Sequence, residues 1–144
     1  MKLLFILYSL VFTSMSLSAF HLYLYIPPRV TPTGTLKVAI YKNQKTFLND
    51  KHVYRHHSIP INTHMLKNSI ITINLRQLVP GNRYAIALFI DQNKNNKFDR
   101  TKILRLPLEP YGFSGNPPIP TYDICQFTYQ EDLSLKIKIR TPFK

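Results

Sequence analysis

Oxygen-bearing side chains fall at alternate positions in IDQNKNNKFD, residues 90–99: Asp91, Asn93, Asn95, then Lys97, then Asp99. Calcium takes several hard oxygen ligands, and a tight loop can present them at this rhythm. Asp91, Asn93 and Asn95 fill the first three places, the backbone carbonyl of Lys97 the fourth and Asp99 the fifth. Asn96 stands where such loops usually have glycine, and asparagine tolerates the left-handed backbone better than most residues. The closing glutamate of the pattern is missing, because Lys102 occupies its spacing; Glu109, further on, is the carboxylate able to fold back and replace it. Lys94, Lys97, Arg100 and Lys102 weaken cation binding by Coulomb repulsion. Calcium is the cofactor expected here, with a dissociation constant on the order of 10⁻⁴ to 10⁻³ M. The rival is a polar hairpin in which Asp and Asn cap their own backbone.

The next unusual stretch, LPLEPYGFSGNPPIPTYD at residues 106–123, is long and rich in proline and aromatics. Loops of this length are usually functional or packed over a sheet. Tyr111 and Phe113 anchor it to the core or offer a stacking face to a ligand, and the expected ligand-binding loop comprises Tyr111, Gly112, Phe113, Ser114 and Asn116. His52, His56, His57 and His64 lack a cysteine or carboxylate at ligand spacing and read as surface histidines. There is no nucleophile elbow, phosphate loop or zinc-protease helix motif. The expectation is therefore no catalytic residue and no enzyme. A carboxylate-based carbohydrate-active enzyme using Asp91, Asp99, Glu109 and Asp123 ranks last among the readings.

These candidates must be positioned by strands. Apolar residues recur with period two in HLYLYI (21–26), TLKVAIY (35–41), SIITINL (69–75), DICQFTY (123–129) and LSLKIKI (133–139). RYAIALFI (83–90) is apolar on both faces and reads as a central strand, and residues 54–61 add a weaker one. Eleven prolines and many β-branched residues leave no long amphipathic helix. The fold class is all-β: a single antiparallel sandwich of about seven strands, without an internal boundary in residues 20–144.

Residues 1–19 have the pattern of a signal peptide: Met1-Lys2, an apolar run at 3–12, then small residues to Ala19. Cleavage leaves about 125 residues, enough for one core. The expected location is periplasmic or secreted, without a stable membrane span after cleavage. The alternative is an uncleaved inner-membrane anchor that runs on through HLYLYI. The single cysteine, Cys125, makes no intramolecular disulfide and reads as a small buried residue. Net charge is +12, which attracts anions; for an exported chain that means an anionic envelope component or glycan rather than nucleic acid.

LVPGNRYAIALFIDQNKNNKFD, then LRLPLEPYGFSGNPP, then TYDICQFTY resembles the exported bacterial family catalogued as domain of unknown function 2141. The resemblance spans roughly residues 34–139, with the specific core at 80–118. It implies an exported sandwich of transthyretin-like or immunoglobulin-like kind and no established activity. Asp91, Asn93, Asn95 and Asp99 match the family's loop, Pro107 and Glu109 its second motif, and Gly112, Phe113 and Ser114 its third. Asn96, Phe98, Ile90 and Gly115 depart from it. The resulting expectation is a non-enzymatic envelope binding or structural module centred on residues 91–99 and 106–120, with a basic-surface module for anionic lipid or glycan as the alternative.

Overall fold

The computed structural model describes residues 20–142, so the expected signal peptide at 1–19 lies outside the described residues. The described chain forms β1 (Phe20–Tyr25), β2 (Gly34–Tyr41), β3 (Arg55–Ile61), β4 (Leu66–Lys67), β5 (Ile70–Leu75), β6 (Arg83–Asp91), β7 (Tyr111–Phe113), the single helical turn α1 (Tyr122–Cys125), β8 (Phe127–Thr128) and β9 (Ser134–Lys138). One sheet runs β4-β5-β1-β9; the other runs β3-β2-β6-β7, with β8 also on β6. Side chains from both sheets meet in one core. Phe20, Leu22 and Leu24 of β1, Ile71 and Leu75 of β5 and Ile137 of β9 face Leu36, Val38 and Ile40 of β2 and Ile86, Leu88 and Ile90 of β6. Period-two alternation thus does what it promises, since one face of each strand is buried.

The sandwich therefore stands, with nine strands rather than about seven. It is not wholly antiparallel, because β1 pairs with β9 in parallel, Leu22 beside Leu135 and Leu24 beside Ile137. DICQFTY is not one strand. Thr121 caps α1 by accepting the Ile124 N–H on its hydroxyl, and only Phe127 and Thr128 remain as strand. Conversely, the proline-rich stretch contains β7, antiparallel to β6 with Ala87 opposite Phe113. The central-strand reading of β6 holds: β2 pairs with it from Ala85 to Asp91, and β7 and β8 share its other edge.

The second face of the five-stranded sheet positions the site. Since Leu36, Val38 and Ile40 point to the core, Lys37, Ala39 and Tyr41 point away from it, beside Ala85, Ala87 and Phe89 of β6. At one end this face is covered by Phe47 and Val53 from the β2–β3 connection and by Tyr122 and Cys125 of α1, which pack on Tyr41, Ala85 and Phe113. At the other end Phe98 lies on Phe89, ring centroids 5.1 Å apart. Register places Ala39 directly opposite Ala87 in the strip between.

His57 departs from the surface reading. It sits opposite Val38 and is half-buried, and its Nε2 is buried with no hydrogen-bond partner. Desolvation lowers its pKa, assisted by the charges of Arg55 and His56. A depressed pKa in the folded state gives stability that is present above the ordinary value of 6.5 and lost as pH falls through the folded value. Replacing His57 with leucine removes both the orphaned nitrogen and the titration. Urea unfolding at pH 7 should show His57→Leu more stable by about 1 kcal/mol, with a gap that widens as pH is lowered below 6.

Candidate functional site

The residues 91–99 loop leaves the end of β6 and turns on its own side chains. Asp91 is 1% exposed, and its carboxylate accepts the N–H of Asn95 on Oδ1 (3.2 Å) and of Asn96 on Oδ2 (2.9 Å). Asn93 Oδ1 accepts the Asn95 N–H, and Asn95 Oδ1 accepts the Lys97 N–H at 2.8 Å. The Nδ2 groups of Asn93 and Asn95 both donate to Asp99 Oδ2, at 2.6 and 2.8 Å. The turn needs left-handed backbone at Lys94 and Asn96, φ +62° at each; Asn96 adopts the conformation for which glycine is usual. Gly34 is fixed by the same turn, because at φ +123° a Cβ would collide with the Asp91 carbonyl.

Glu109 does fold back. It is 4% exposed, and its two oxygens accept the N–H of Gln92 and of Asp99, each at 3.2 Å. The carboxylate thus bridges the two ends of the loop. Desolvation raises its pKa most; the two backbone hydrogen bonds oppose the rise, and the charges of Asp99 and Asp91 add to it. Between Asp99 and Glu109 the chain forms a hairpin: Leu108 N–H donates to the Asp99 carbonyl, and Thr101 N–H to that of Leu106. Lys102, at the expected closing position, lies on this exposed hairpin. Among the described residues no three acidic, histidine or cysteine side chains gather at one point as a metal group; the loop's carboxylates turn toward its own N–H groups.

The expected ligand-binding loop divides by role. Tyr111 and Phe113 face the cleft described below. Gly112 is buried, with space only for hydrogen, since a Cβ would lie 2.7 Å from Ile137 Cγ2. Ser114 is 1% exposed; its hydroxyl accepts the Ile86 N–H at 2.9 Å and donates to the Cys125 carbonyl at 2.6 Å. Asn116 joins β9, its Nδ2 donating to the Lys136 carbonyl and its Oδ1 accepting the Lys138 N–H. Cys125 is buried, which pushes its thiol pKa up.

Above Ala39 and Ala87 lies a cleft of about 900 Å³. Tyr41, Phe89, Phe98, Tyr111 and Phe113 supply apolar walls, and Lys37, His56, Lys97, Arg100 and Arg105 bring basic groups. The aromatics form a continuous run, Phe98 at 6.0 Å from Tyr111 and Tyr111 at 5.8 Å from Phe113, with Arg100 over the Phe98 ring at 4.9 Å. Lys37 Nζ ties the roof to the floor by donating to Asn96 Oδ1 (2.7 Å) and to Ser58 Oγ (3.1 Å). The acids lining the cleft are Asp50 and Asp99; Asp123 is exposed on α1. Sequence reasoning reached the roof and the Tyr111–Phe113 wall. It missed Lys37, Ala39 and Ala87, whose only signal is small or polar outward residues in adjacent strands.

A carboxyl held above its ordinary pKa binds its proton more tightly folded than unfolded. Glu109 therefore contributes stability that falls as pH rises from the ordinary value of 4.5 through the folded value. Glu109→Gln abolishes that slope and leaves one loop N–H without an acceptor, a loss of about 1–3 kcal/mol. Urea unfolding from pH 4 to pH 8 should show the deficit of the variant largest at the acidic end and shrinking toward pH 8.

No curated protein and no solved structure matches the chain. Residues 30–137 match a family described as an uncharacterized protein conserved in bacteria, and cover the whole of the loop, the cleft and the Glu109–Asn116 segment. The chain belongs to this bacterial family, domain of unknown function 2141.

Proposed function

We propose that this protein is a non-enzymatic binding module of the bacterial envelope, periplasmic or secreted, whose ligand seats in the cleft on the outer face of the five-stranded sheet. The observation that carries the reading is the cleft itself: about 900 Å³ over Ala39 and Ala87, in the size range of small-molecule sites. Its roof is a loop clamped by Glu109. The exported location rests on the apolar run at residues 3–12 and the small residues after it. An uncleaved anchor must borrow HLYLYI for its length, and those residues contribute to β1, in the interior of a sheet.

A neutral aromatic probe tests the reading. N-phenylnaphthylamine should bind the folded protein at one site, and Ala87→Phe, which fills the floor, should weaken binding at least tenfold with an unchanged melting temperature. Equal binding by the variant removes the cleft from the proposal.

The loop's role as a weak calcium site is part of the same proposal. Asp91 and Asp99 lie in the loop and Glu109 binds both of its ends, and the charges of Asp99 and Asp91 both raise the pKa of Glu109; a hard divalent cation relieves that repulsion. At ten times the dissociation constant, calcium stabilises by ~1.4 kcal/mol, a shift on the order of 4 °C for a domain of this size. Calorimetric melts in calcium and in chelator should differ by that amount in the wild type and coincide in Asp91→Ala. Coinciding wild-type melts would dispose of the cation and leave the cleft reading intact.

A further inference from the structure

The cleft combines a hollow, an aromatic wall and an excess of cations. The hollow has a cause. Ala39 and Ala87 face each other in register on adjacent strands, and their short side chains leave the sheet backbone under a space that the aromatics on both sides do not fill. Its wall is Phe98, Tyr111 and Phe113, rings in successive contact at 6.0 and 5.8 Å. The rings are inclined to one another by 55° and 68°, so a planar apolar body meets one ring face and the edges of its neighbours and displaces water from both.

The rim is not electrically neutral. Lys37, Lys97, Arg100 and Arg105 line the cleft against Asp50 and Asp99. One oxygen of Asp99 accepts the amides of both Asn93 and Asn95, and the four cations outnumber the two acids. Arg100 is held over the Phe98 ring, an arrangement that orients the guanidinium while leaving its edge donors to form bidentate hydrogen bonds with an oxyanion. Arg105 lines the cleft from the same hairpin with a left-handed backbone, φ +55°, a conformation that non-glycine residues rarely adopt. The hairpin is fixed locally by the Leu106 N–H to Thr101 Oγ1 bond at 3.0 Å and the Thr101–Leu106 backbone bond. The two arginines thus stand on one braced element at the mouth of an aromatic slot.

We propose that the cleft binds an amphipathic anion: a small molecule with a flat apolar ring system that lies on Ala39 and Ala87 along the aromatic wall, and with a carboxylate, sulfonate or phosphate group that meets Arg100 and Arg105. The proposal rests on the cleft being the binding site and adds the class of ligand. A neutral ring compound satisfies the floor and leaves the cationic rim unpaired. A small inorganic anion satisfies the rim and leaves the slot wet. Only a molecule with both parts uses both.

Two fluorescent probes that share a ring framework and differ by one sulfonate separate these terms. Anilinonaphthalene sulfonate is titrated against N-phenylnaphthylamine on the folded full chain, with calorimetry confirming an intact melting transition. The expected result is one site for each, the sulfonate bound at least tenfold tighter, and an advantage that shrinks as salt is raised to about 0.5 M, where screening shortens to a few ångströms. In the double variant Arg100→Gln, Arg105→Gln the advantage, read as the ratio of the two affinities, should vanish together with its salt dependence. Arg100→Lys, Arg105→Lys should retain most of the advantage. Equal affinity of the two probes for the wild type, or a preference that survives the glutamine variant, overturns the anion proposal and leaves the cleft reading standing. Binding of both probes that is indifferent to Ala87→Phe, or failure of both to bind, overturns the two together.

Discussion

Two carboxylates withdrawn from water, Asp91 and Glu109, govern everything on the outer face of the five-stranded sheet. A buried carboxylate is costly unless its oxygens are hydrogen-bonded, and each of these spends both oxygens on backbone N–H groups of one loop. The requirement works in both directions. The acids need those donors to stay buried, and the loop N–H groups, having left regular structure, need acceptors. The result is a loop with one geometry although it contains no regular secondary structure. Its left-handed positions at Lys94 and Asn96 are strained for non-glycine residues and persist because the surrounding bonds overdetermine them.

From that fixed loop the cleft follows. A sheet of which only one face is needed for the core can leave its other face to solvent; here the second face is covered from both ends instead. Tyr122, Cys125, Phe47 and Val53 cover one end and Phe98 the other, and the paired alanines, half-buried at the margin of the first cover, floor the cleft between them. Two of the cations around the loop have structural places in this setting. Lys37 of β2 bonds to Asn96 Oδ1 and Arg100 stacks on Phe98, so both cations are built into the roof and wall of the cleft.

Strand β6 was legible as a run apolar on both faces. Period-two alternation made β1, β2, β5 and β9 legible, because burial of one face forces apolar residues to alternate whatever lies opposite. The same signal failed at residues 123–129. There Tyr122 and Cys125 are buried three positions apart, a spacing that one helical turn satisfies, and the four-residue turn is too short for helical periodicity to outweigh the strand-like sequence around it. Strand β7 was hidden for a different reason: prolines at 107, 110, 117 and 118 frame it, and only three residues lie between them in the ladder. The parallel pairing of β1 with β9 joins the two ends of the described chain, and no local pattern encodes a partner that far away. In the site, Glu109 could be named from the sequence because the loop lacked its closing acid. Ala39 and Ala87 could not, since an alanine pair becomes a hollow only once register sets the two side by side.

The segment Glu109 to Asn116 carries more of this architecture than its length suggests. Glu109 fastens the loop, Tyr111 and Phe113 wall the cleft, and Gly112 lets β7 approach Ile137. Ser114 stands where the edge of β6 passes from β7 to β8, and supplies the acceptor that the Ile86 N–H would otherwise lack before handing its own proton to the carbonyl of Cys125 at the end of α1. Asn116 then reaches the other sheet at Lys136 and Lys138, and Arg140 returns from beyond β9 to the carbonyls of Asn116, Pro117 and Pro118. Each of these contacts is specific to its side chain: a carboxylate between two donors, a hydroxyl that both accepts and donates, an amide with both ends used. One extended stretch therefore couples the loop, the cleft wall, the helical turn and the opposite sheet. That coupling explains why the residue-specific motifs lie here, while the core strands ask only for apolar residues of suitable size.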